Sequence, residues 1–176
     1  MHPRRLPARR TLGRTQLVWA IGIGLWAAAV TANQTASFGA LSAALRTHLQ
    51  DEKFRIVTSV RGLPLGVRDH LQAMFGTGTL DIAEPGAEFL RTIAPVSPSL
   101  PTRRLIAAGC SIDNHCLVYY ERGGSVITRR VALFHWTPAE TRFEWGGTAP
   151  GGFATVEDVR KAIVSGSIKG GQTGPW

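Results

Sequence analysis

The residues with the greatest chemical capacity lie in one short stretch, Cys110-Ser111-Ile112-Asp113-Asn114-His115-Cys116, which holds the only two cysteines of the chain. Two thiols on either side of a five-residue loop can face each other across a hairpin and, in a compartment that permits oxidation, close a disulfide. So short a loop gains only about 2 kcal/mol by chain entropy, which pins a hairpin without holding a whole fold. Cys110, Asp113, His115 and Cys116 are also four potential metal ligands. Structural zinc sites usually draw on two separated ligand pairs, and here there is one cluster, so the disulfide is the expected state and no metal is favoured. A third chemistry makes Cys110 a nucleophile with His115 or His135 as its base.

Gly109-Cys110 resembles the end of the Ser-His-Gly-Cys signature of the L,D-transpeptidases, but Ala107 and Ala108 replace its Ser and His, and the following Arg is missing. Membership of that family is therefore not implied. His135 sits between Phe134 and Trp136 in an apolar run, as a sheet histidine with a hydrogen-bonded partner would. His70 falls away from the apolar side of its helix and is expected in solvent. Within Arg103-Arg104 and Arg129-Arg130 the side chains alternate, so at most one member of each pair can join an anion site. Tyr119, Tyr120, Phe134, Trp136 and Trp145, with His135, form the candidate ligand or partner surface. The same aromatics fit the core of a small sheet domain. Gly76-Thr77-Gly78-Thr79 and Gly146-Gly147-Thr148 lack the lysine or helix of a phosphate loop, and no catalytic triad, carboxylate pair or nucleotide fingerprint stands out. No cofactor is expected.

The elements that must position these residues follow from periodicity. Residues 37–50 read as an amphipathic helix with Phe38, Leu41, Ala44, Leu45 and Leu49 along one side. Residues 54–60 alternate as a strand, and Val67, Leu71, Met74 and Phe75 mark a short helix stopped by Gly76. A further short strand is expected at 79–83, then a proline-rich surface loop over 85–102. Strands at 103–110, 115–121, 126–136 and 141–145, separated by short turns, imply an antiparallel meander. Thr155 with Asp158 three residues on forms a capping box for a last helix, whose inner stripe is Val156, Val159, Ala162 and Ile163. The expected fold is α+β: a meander of about four to five strands packed with two to three helices.

The N-terminus carries an address. Arg4, Arg5, Arg9, Arg10 and Arg14 precede a 14-residue apolar run, residues 17–30, and no charge appears between Arg14 and Arg46. That is the order of an export signal, with positive charge keeping its own end inside. Residues 1–32 are thus expected to be a signal peptide cut after Ala32. The competing expectation is a membrane anchor over residues 15–36, because the mildly polar residues after Val30 stretch the run to spanning length. Arg9-Arg10-Thr11-Leu12 touches the twin-arginine pattern but departs from it at Ala8 and Gly13. Residues 33–168 then make one α+β domain and residues 169–176 a flexible tail.

The leader also accounts for most of the formal charge of +8, leaving only +3 on residues 15–176. So mild and scattered a charge argues against a nucleic-acid partner. The expected protein is extracytoplasmic, periplasmic or secreted, with a non-enzymatic domain that binds a ligand or an envelope partner, and with the membrane or export machinery met through residues 1–32. An exported hydrolase using Cys110, His115 or His135 is one alternative, and a single-span membrane-anchored assembly subunit is the other.

Overall fold

The computed structural model describes residues 39–92, 99–171 and 176. The leader, its cut at Ala32, the anchor over 15–36 and the first residues of the predicted helix at 37 and 38 lie outside those residues. No helix among the described residues is long and apolar enough to cross a membrane.

The chain is α+β, with a six-stranded antiparallel sheet and three helices. In order these are α1 (Ala43–Asp51), β1 (Phe54–Val57), a 3-10 turn (Val60–Gly62), α2 (Leu65–Phe75), β2 (Arg103–Ser111), β3 (His115–Arg122), β4 (Thr128–Trp136), β5 (Thr141–Ala149), α3 (Val156–Val164) and β6 (Lys169–Gly170). Strand order in the sheet equals sequence order, so every neighbour is reached without a crossover. The central four strands are the meander expected from alternation, and β1 and β6 extend it at its two edges.

Both faces of the sheet are covered. On one, Val67, Leu71 and Phe75 of α2 pack on Val118, Tyr120 and Phe134. On the other, Leu49 of α1 and Val159 and Ile163 of α3 pack on Leu117, Tyr119 and Leu133. Residues 116–120 are apolar without interruption because alternate side chains enter two different cores. Gly76 ends α2 in the left-handed conformation, at φ 67°. Thr155 and Asp158 form the capping box of α3 reciprocally.

Several expectations need correction, among them two starts: α1 begins at Ala43, with residues 39–42 outside it, and β4 begins at Thr128 and not at 126. Residues 79–83 form no strand, and only Ala83 makes an isolated parallel bridge, to Arg104. The first strand stops at Val57, because Ser59 turns the chain by accepting a hydrogen bond from the Gly62 amide. The end of the chain is not a loose tail throughout: Lys169 and Gly170 pair with Thr148 and Gly147, and Trp176 is buried in the α2-side core beside Phe143. Main-chain pairing needs no apolar pattern, and a Cβ on Gly147 would meet the Lys169 carbonyl at 2.5 Å, so the glycines permit the approach that composition argued against.

Cys110 and Cys116 are joined in a disulfide. They face each other directly in the β2–β3 register, with Cα atoms 4.1 Å apart, near the spacing of a non-hydrogen-bonded antiparallel pair. The three residues between Ser111 and His115 turn the chain, and Asn114 takes the left-handed position such a loop requires, at φ 70°. Replacing both cysteines by serine is expected to lower stability by about 2 kcal/mol in urea unfolding while leaving the sheet intact. A loss of all native circular dichroism would show instead that the bond holds the whole fold.

Candidate functional site

His115 opens β3 and, two residues before Leu117, points to the face covered by α1 and α3. It is 6% exposed, and both ring nitrogens are engaged by carboxylates: Nδ1 lies 2.9 Å from Glu52 Oε1 and Nε2 lies 3.0 Å from Glu144 Oε2. Ser111 secures the arrangement, since its hydroxyl donates to Glu52 Oε1 and accepts the His115 amide at 3.1 Å.

Each carboxylate is delivered by a local device. Glu52 is the C-cap of α1, a helix whose N-cap is Ser42, the side chain of which accepts the Leu45 amide. The far end of that helix is fixed by Arg160 of α3, which donates to the Leu49 and Gln50 carbonyls at 2.6 and 2.5 Å and is itself held by Glu157. Glu144 owes its position to a β-bulge. Leu133 faces Trp145 and Phe134 faces Phe143, so Glu144 is the extra residue of β5. The bulge turns its carboxylate onto the face of His115, where simple alternation would have sent Glu144 and Trp145 to opposite sides.

Two more imidazoles stand beside this one. His135 is the direct cross-strand partner of His115, with ring centroids 5.8 Å apart. His48, one turn before Glu52 on α1, packs edge-on at 5.0 Å, its Nε2 3.8 Å from Glu52 Oε2. Arg142 reaches Glu144 Oε1 at 2.9 Å from the outer side. Burial opposes a charge on His115, but the hydrogen bonds it donates to Glu144 and Glu52 outweigh it and raise its pKa to about 9. The hydrogen bonds from His115 and then Arg142 hold Glu144 down at about 2. At neutral pH the centre is therefore an imidazolium clasped by a carboxylate on each side. Its nitrogens both donate, so in this state His115 accepts no proton from a substrate.

The imidazolium floors an open groove of about 720 Å³ between the start of α1 and the ends of β3, β4 and β5, lined by Ala44, His48, Asp113, His115, His135 and Glu144 among others. Around His115 two overlapping sets could hold a metal ion: His48, Glu52 and His115, or His115, His135 and Glu144, of which only the second lies wholly on the groove lining. In each set the ligand atoms lie within 4.8 Å of one another.

The residues singled out from sequence are not brought together as expected. Cys110 and Cys116 belong to the α2-side core, whereas His115 points to the opposite face. With both sulfurs in a disulfide, the set Cys110, Asp113, His115 and Cys116 offers no thiolate and does not converge, and Cys110 is no nucleophile. Tyr119, Tyr120, Phe134 and Trp145 are buried in the two cores. Trp136 and His135 of that set line grooves. Trp136 lines a second one with Leu65 and His70, and His135 lines the groove over His115. His70 is half-buried, its Nδ1 3.0 Å from the Gly66 carbonyl and its ring against Phe134. Arg103 and Arg130, one from each pair, are buried on the α2 side near Tyr120. Sequence reasoning missed His48, Glu52 and Glu144. The spacing of His48 and Glu52 by four on one helix was the one visible signal.

No protein-family model matches the chain, and neither a curated protein nor a solved structure matches it. The disulfide is compatible with an extracytoplasmic location.

Proposed function

We propose that the chain is an exported binding domain of the cell envelope that holds its ligand, without catalysing a reaction, in the groove over His115. One observation carries this reading: a buried imidazolium and the Glu144 carboxylate line an open groove, with the Glu52 carboxylate buried behind the ring. Removing such charges from water costs several kcal/mol per ion, and apolar residues of similar volume would stabilise a purely structural site as well or better. Charge kept at that cost beside a solvent-accessible concavity is the mark of recognition. The disulfide and the basic, then apolar, order of residues 1–32 support the envelope address.

Native mass spectrometry of the disulfide-bonded chain recovered from a bacterial envelope tests the assignment. Ala44 is exposed on α1 and lines the groove. Ala44→Trp fills that space without replacing any member of the His115 network. The expected result is a bound mass on the wild type that falls at least tenfold in Ala44→Trp, equivalent to about 1.4 kcal/mol of binding. A mass that Ala44→Trp retains in full, or no bound mass at all, defeats the groove assignment.

A further inference from the structure

We infer that the groove's ligand is a divalent transition-metal ion of the zinc type, held by His115 Nε2, a His135 ring nitrogen and a Glu144 carboxylate oxygen, with Glu52 orienting His115 from behind. The inference rests on the groove reading above and names its ligand class.

Two imidazoles and one carboxylate, with a fourth position open to solvent, are the donor set of an accessible zinc site. The donor atoms of His115, His135 and Glu144 already lie within 4.8 Å of one another. Tetrahedral coordination at about 2.0–2.1 Å needs a donor spacing of roughly 3.4 Å. His135 and Glu144 are half-buried, so rotations of side chains that still reach solvent supply the remaining approach. The ion takes the place of the proton on His115 Nε2, which leaves to solvent.

Glu52 makes the site more than a cluster. A ligating histidine almost always donates its other N–H to a carboxylate, which fixes the ring and raises its basicity. Glu52 accepts from Nδ1 at 2.9 Å, and the Ser111 hydroxyl anchors that same carboxylate oxygen. The order Ser111, Glu52, His115, open groove is that of a metal site with its outer support already assembled. The alternative set would make Glu52 itself a ligand, yet its side chain is 1% exposed and does not line the groove, whereas His115, His135 and Glu144 all do. The donors also select the ion. With Cys110 and Cys116 oxidised there is no thiolate for a soft cation, and one carboxylate offers too few oxygens for calcium or magnesium.

Isothermal titration of zinc chloride into the EDTA-treated, disulfide-bonded mature chain tests the proposal. One equivalent is expected to bind at micromolar concentration or tighter, with zinc-edge X-ray absorption showing two imidazoles on the metal. His135→Ala and Glu144→Gln should each weaken binding at least tenfold, and Glu52→Gln by roughly 10–100-fold. His70→Ala, in the second groove beside Trp136, should leave the affinity unchanged. Should Glu52→Gln fail to fold, the His135 and Glu144 variants, at sites with solvent contact, still decide the matter. Absence of zinc binding, or binding lost in His48→Ala and kept in His135→Ala, overturns the proposal. If zinc does not bind while an Ala44→Trp-sensitive organic mass remains, the metal is wrong and the groove reading stands; loss of both removes both.

Discussion

Replacing His115 by alanine is expected to destabilise the metal-free domain by about 3–5 kcal/mol, the usual consequence of removing one member of a buried, hydrogen-bonded charge group. The cost is not the loss of an attractive contact alone. His115 is the cation between Glu52 and Glu144, and without it two carboxylates face a cavity with no counter-charge between them. Glu52 suffers most, being 1% exposed and left with the Ser111 hydroxyl and the more distant His48 ring as its polar neighbours. In a domain of this size the change corresponds to a drop in melting temperature on the order of 10 °C. Urea unfolding followed by tryptophan fluorescence measures it. Glu144→Gln is expected to cost less, because that side chain is 16% exposed and its amide oxygen still accepts from His115 Nε2. A His115→Ala variant within 1 kcal/mol of wild type would mean that the two carboxylates are satisfied by solvent and that the clasp contributes little.

What could be read from the sequence divides along a physical line. The strands from β2 to β5 were legible because their side chains alternate between two cores and their turns carry Gly, Asn and Pro. The start of α3 was legible because Thr155 and Asp158 form a local motif. Features set by main-chain pairing were not, as β6 and the bridge at Ala83 demonstrate. The candidate site belongs mostly to the illegible part. His115 and Glu52 lie 63 residues apart in sequence and meet because β1, which follows Glu52, pairs with the end of β2 while Arg160 fastens α1 to α3. Glu144 reaches His115 through a bulge, and a bulge shifts side-chain parity with no signature in these residues. The two cysteines were legible as a pair that pins the hairpin, but the sequence did not show that the disulfide lies on one face while His115 turns to the other.

The same clasp predicts how stability of the metal-free domain, held in EDTA, changes with pH. His115 titrates near 6.5 when unfolded and at about 9 when folded. A raised pKa means the folded state binds the proton more tightly, so this contribution is complete below pH 6.5 and is lost as pH rises through 9. Glu144 has the opposite sign, falling from 4.5 to about 2 on folding. Its contribution is complete above pH 4.5 and is lost as pH falls through 2. The two windows overlap between about pH 4.5 and 6.5, where the clasp stabilises the fold most fully. Urea unfolding across this range should therefore show a plateau with an alkaline limb that begins above pH 6.5. His115→Ala separates this limb from every other titration in the chain, because the stability difference between variant and wild type must shrink steadily from pH 6.5 to pH 9 and above. A difference that stays constant over that interval would show that His115 is not held as the imidazolium, and that Glu52 and Glu144 share a neutral ring.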